Sequence, residues 1–211
     1  MVRRPDYYPR VVEISCHRCA SSFVLEVTMQ SSVKKDFSRP LNMIMLIPVI
    51  VALLCAFYFQ LRFYDLPCPL CLLQRAALLL TGTGLLFNLY FGNRKLHYGM
   101  VIIGALALAA VATRHVFLHI TPGDTGYGLP FLGIHLYTWS LILAVAIIIG
   151  VAVTLMITPD AATAPVVIKS FTQRFLMIIY ALILVANLSS TVLQCGGGQC
   201  DDNPTYYQLL K

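Results

Sequence analysis

Between Arg39 and Arg62 the chain runs for 22 residues without a formal charge, and four more such stretches follow. Eighteen uncharged residues separate Arg75 from Arg94, and eighteen separate Lys95 from Arg114. No charge falls between Thr125 and Pro159, where the apolar core is 134–157, or between Phe175 and Gln194. A helix needs about 20 mainly apolar residues to cross about 30 Å of hydrocarbon. An open strand edge cannot be satisfied in lipid, so five transmembrane helices are predicted. The second and third runs are short, so Leu72–Arg75 is assigned to the second helix. Composition agrees: 58% of the 211 residues are hydrophobic and 11% charged, against about 25% charged in soluble domains. That excludes a soluble globular enzyme and a disordered chain.

Basic residues set the predicted direction. With the N-terminus inside, eleven of the fifteen Lys and Arg fall on the cytoplasmic side, whereas acidic residues divide five to four. The pI of about 9.0 therefore reflects topology, and no nucleic-acid partner is expected. The chain divides into a polar segment 1–40, a four-helix core 41–157, a cytoplasmic loop 158–174, a fifth span 175–194 and an outer tail 195–211. The first segment lacks a signal-peptide pattern. Met29 and Met43 offer later starts. Its Cys16-His-Arg-Cys19 has no second ligand pair on the same membrane face, so a reduced cytosolic pair is expected in place of a zinc site.

The remaining cysteines carry the chemistry. Cys55 lies inside the first apolar run, where a small buried hydrophobe is the default. The other four fall outside, as Cys68-Pro-Leu-Cys71 at the mouth of the second helix and Cys195-Gly-Gly-Gly-Gln-Cys200 after the fifth. An even number on an oxidising side reads as two disulfides, Cys68–Cys71 and Cys195–Cys200. Static staples are one reading, and for Cys195/Cys200 it stands level with a redox role. A bridge across two residues stabilises little, however. Cys-x-x-Cys at a helix N-terminus beside a cation is the setting that lowers a thiol pKa. Cys71 starts a helix and Arg75 is its i+4 neighbour, which puts the reactive thiolate on Cys71. Leu72 follows the pair, so it is not a haem attachment site.

Pro67-Cys-Pro-Leu-Cys-Leu-Leu-Gln-Arg75 resembles the motif of the disulfide bond formation protein B (DsbB) family, membrane thiol oxidases of the bacterial inner membrane. His115-Val-Phe-Leu-His-Ile-Thr-Pro122 is similar to that family's segment at the outer end of the third helix. Phe131-Leu-Gly-Ile-His-Leu-Tyr-Thr-Trp139 is similar to the start of its fourth. The resemblance implies an all-α integral membrane fold: a DsbB-like four-helix bundle, here with an additional C-terminal helix. It implies a protein dithiol:quinone oxidoreductase with ubiquinone, before menaquinone, as cofactor, serving a soluble periplasmic DsbA-like partner. Cys71, Arg75 and His115 are then the expected quinone-binding residues, and Cys68, Cys71, Cys195, Cys200 and Arg75 the catalytic ones. One departure matters: the family's second cysteine pair lies between helices three and four, where 121–130 has none. Cys195/Cys200, carried outside by the fifth helix, is read as its replacement. The rival class is a metal- or haem-binding membrane protein using His115, His119 and His135, since His115 and His119 share a helical face.

Overall fold

The computed structural model describes residues 38–157 and 171–210. The readings made for Cys16/Cys19 and for most of the loop after residue 157 lie outside these residues. Among the described residues, five helices are long and apolar enough to cross a membrane: α1 (Ser38–Phe63), α2 (Pro69–Phe91), α3 (Lys95–Leu118), α4 (Leu136–Ile157) and α5 (Phe171–Cys195). A 3₁₀ turn at Gln208–Leu210 follows. The fold is an all-helical, multi-pass membrane bundle. Two boundaries move relative to the sequence reading. Helix α1 begins before Leu41, and α5 begins at Phe171, one turn before the uncharged run. Helices continue past the charge that delimits a run, because the first and last turns reach the polar interface.

Chemistry at each junction explains the breaks. Pro69 occupies the first turn of α2, where its missing N–H costs nothing. Cys68 is the N-cap, and its sulfur accepts the Cys71 N–H at 3.2 Å. Helix α5 stops at Cys195 because Gly196 takes φ +59, and its N–H bonds the Val192 carbonyl at 2.8 Å. That left-handed closure favours glycine.

The core is aliphatic, with Leu46, Val49, Leu53, Leu85, Val101 and Leu108 all fully buried. Only 22–44% of each span's most apolar window is buried. The rest is outward-facing Ile, Leu, Val and Phe, a surface that only hydrocarbon satisfies. Small residues let the helices approach. Gly104 of α3 sits against Thr81, and a Cβ on Gly84 would lie 2.7 Å from Val101. The fifth helix docks in the same way. A Cβ on Gly82 of α2 would meet the Tyr180 ring at 2.5 Å, and the Tyr180 hydroxyl donates to the Leu79 carbonyl.

Polar groups close the two ends of the bundle. At one end Asn42 is fully buried and donates to the Ser38 carbonyl at 2.8 Å and the Tyr98 hydroxyl at 2.9 Å. Asn88 donates to Asn42 Oδ1 at 3.2 Å, and His97 Nδ1 lies 3.2 Å from Asn88 Oδ1. The links 64–68 and 119–135 and the tail after Cys195 gather at the other end. There the Tyr127 hydroxyl donates to the Leu66 carbonyl at 2.7 Å, and Gln194 Nε2 donates to the Pro67 carbonyl at 2.7 Å.

Candidate active site

The second end holds every outer cysteine. Cys68 is buried and Cys71 half-buried, and both are free thiols, so the expected Cys68–Cys71 disulfide is not formed in this structure. As the helix cap, Cys68 engages its sulfur with the Cys71 amide. The Cys71 thiol also donates to the Cys68 sulfur, which draws the Cys68 thiol below its ordinary range. Burial opposes that shift, and the amides of Cys71 and Leu70 reinforce it. The Cys68 sulfur is thus the acceptor at the helix cap, while Cys71 lies one turn before Arg75. Cys195 and Cys200 are bonded to each other, with Cα atoms 4.6 Å apart. Cys195 is buried at 5% exposure, and Cys200 is more open.

Arg75 is nearly buried, one turn beyond Cys71. Its guanidinium donates to Gln60 Oε1 at 2.5 Å and to the Ala56 carbonyl at 3.1 Å, and it lies 5.4 Å from the centre of the Phe57 ring. Gln60, 2% exposed, uses its own amide on Ser190 Oγ and the Tyr207 hydroxyl, both at 2.8 Å. One glutamine therefore ties Arg75 to the fifth helix and the tail. Sequence reasoning missed Gln60. A lone amide three residues from the end of an apolar run was the available signal.

Cys71 and Arg75 both line a cavity of about 450 Å³, with Gln74 at the same mouth and Phe59, Tyr137 and Trp139 in its walls. Cys55 also lines it, so that residue is not simply core filling. His115 lies behind the lining residues Gln74 and Tyr137, both of which it contacts. It is 1% exposed, with Nδ1 3.1 Å from Gln74 Nε2 and its ring stacked 4.3 Å from Tyr137. An imidazole nitrogen of His115 also lies within 4.8 Å of both sulfurs, and Cys68, Cys71 and His115 are the one set of three metal-capable donors among the described residues.

The three histidines share no such cluster. His119 Nδ1 lies 3.1 Å from Asp124 Oδ2 at the surface, and His135 stacks 5.2 Å from Tyr137. The Gly126 amide and then His119 hold Asp124 below the usual carboxylate range. Burial pushes the Tyr127 phenol up, helped by the neighbouring sulfurs, so it stays a neutral donor to Leu66.

A thiol pair thus caps a spanning helix, with a buried cation one turn on and an aromatic-walled cavity that Cys71 and Arg75 line. Residues 38–127 match the family model described as "Disulfide bond formation protein DsbB". Disulfide bond formation protein B of Psychrobacter sp. (strain PRwf-1) is 36% identical over 92 residues, covering 41% of this chain and 54% of that protein. The proteins of the same name from Nitrosomonas eutropha and Nitrosomonas europaea are 42% identical over 67 residues and 38% over 80. These cover 30% and 33% of this chain, and 41% and 49% of those proteins. The chain spans about half the length of the curated relatives it matches. No solved structure matches significantly. The matched segment ends before α4, so α4, α5 and the Cys195–Cys200 pair lie beyond it.

Proposed function

We propose that this protein is a dithiol:quinone oxidoreductase of the bacterial inner membrane that reoxidises a soluble periplasmic DsbA-like partner. The observation that carries the proposal is the joint exposure of Cys71 and Arg75 to one apolar, aromatic-walled cavity. Its size falls within the range of about 300–1,000 Å³ that small-molecule sites occupy. Flat aromatic walls, one thiol and one cation suit a quinone head group, and Cys71, Arg75 and Gln74 would hold it. The chemistry supplied there is acceptance of two electrons and two protons by the bound quinone.

The chain's own part is thiol exchange and charge placement. A reduced partner attacks Cys200, the more open sulfur of the bonded pair, and Cys195 leaves as a thiol. The partner's second thiol displaces Cys200, so the partner gains a disulfide and the chain two thiols. Those thiols then reduce the Cys68–Cys71 disulfide and re-form their own. Proximity supports the route, since Gln194 precedes Cys195 and bonds Pro67, which precedes Cys68. Arg75, held by Gln60 and Ala56, places fixed positive charge beside Cys71 in a dry site, where such charge acts strongly. The N-terminus would be cytoplasmic and the tail periplasmic.

The purified full chain, given a dithiol reductant and ubiquinone, should reduce the quinone, and Cys71→Ser should abolish the reaction. Retained turnover in Cys71→Ser would overturn the assignment.

A further inference from the structure

We propose that the reduced pair, together with His115, forms a binding site for a thiophilic d¹⁰ metal ion such as Zn²⁺. The proposal rests on donor positions and not on the quinone reaction. Two sulfurs and one imidazole nitrogen lie within 4.8 Å of one another. Tetrahedral zinc with Zn–S of about 2.3 Å and Zn–N of about 2.0–2.1 Å is a common use of such donors. The donors need to close by only about 1 Å to meet those bond lengths, a movement within reach of two cysteine side chains on one helical turn.

Three further features suit the site to a metal. Ligating histidines need their second nitrogen held. Gln74 sits 3.1 Å from Nδ1, and turning its amide oxygen inward lets it accept a hydrogen bond from Nδ1–H, which leaves Nε2 as the ligand. Cys71 opens onto the cavity, which supplies an entry path. Charge also balances: the two thiols release two protons as two metal–sulfur bonds form, so the zinc dithiolate is neutral beside Arg75. No electron moves. The captured sulfurs cannot form their disulfide, so metal binding arrests exchange with the pair reduced.

The test uses the full chain carrying Cys16→Ser, Cys19→Ser, Cys195→Ser and Cys200→Ser, which removes the other thiol pairs. Reduced and exposed to Zn²⁺, it should retain one ion per chain after desalting, and Cys68 and Cys71 should then resist alkylation. Oxidation of the pair, Cys68→Ser or Cys71→Ser should abolish retention. His115→Ala and the shape-conserving His115→Gln should each weaken binding about tenfold or more. Co²⁺ in place of Zn²⁺ should show thiolate charge-transfer absorption. Absence of bound Zn²⁺ in the reduced parent, or equal retention in the Cys71→Ser chain, would overturn the site. Unchanged affinity in both His115 variants would refute the three-donor set.

Discussion

Gln194 Nε2 donates to the carbonyl of Pro67 at 2.7 Å, so the residue before the bonded Cys195 is fastened to the residue before Cys68. A buried amide with one partner removed costs about 1–3 kcal/mol. Gln194→Leu should therefore loosen the tail locally and leave the bundle folded. Quinone reduction driven by the protein partner should fall several-fold, while reduction driven by dithiothreitol should hold. Equal loss with both reductants would place Gln194 in general stability alone.

Gln60 is the joint between Arg75 and the added helix. Gln60→Leu removes the acceptor at 2.5 Å from the guanidinium and the donor to Ser190 and Tyr207. Turnover should drop about tenfold, the equivalent of about 1.4 kcal/mol, and the quinone KM should rise. Ser190→Ala and Tyr207→Phe each leave the Arg75 bond in place, so each should cost only about 0.5–1.5 kcal/mol of stability. Steady-state kinetics beside thermal melts separate the two effects. Wild-type kinetics in Gln60→Leu would show that Arg75 needs no such support.

The unequal burial of the bonded cysteines assigns their roles. Cys195 is 5% exposed and Cys200 more open, so the proposed mechanism expects the partner to attack Cys200. Incubated with the oxidised partner, whose disulfide its lone thiol can attack with release of a partner thiol, Cys195→Ser should accumulate a mixed disulfide through Cys200, detectable on a non-reducing gel, and Cys200→Ser should not. The reverse pattern would exchange the two roles.

Gly82 tests whether the fifth helix docks as described. A valine there drives its side chain into the Tyr180 ring, an overpacking that costs about 1–3 kcal/mol. The four-helix portion should persist and dithiothreitol-driven activity survive, while partner-driven activity declines. Unaltered partner-driven turnover would show that α5 serves only as a tether.

Much of this was legible in the sequence, because charge is costly in hydrocarbon and its absence marks each span. The polar contacts were not legible. Gln60, Gln74 and Asn42 sit in apolar runs as isolated amides, and only the bundle reveals which partner each meets. His115 shows the same limit: the resemblance alone put it near the site, and only the bundle reveals its contacts with Tyr137, Gln74 and the two sulfurs. The cap role of Cys68 was likewise hidden, because sequence spacing weighs Arg75 while capping geometry weighs the amide of Cys71.

The central claim is that electrons pass from Cys195/Cys200 to Cys68/Cys71 and on to a quinone. The double variant Cys195→Ser, Cys200→Ser, assayed for quinone reduction with a reduced DsbA-like protein and separately with dithiothreitol, tests it most directly. The account predicts collapse with the protein and survival with the small dithiol. Full activity with the protein would contradict it, leaving Cys195–Cys200 a structural bridge and Cys68/Cys71 the pair that meets the partner unaided.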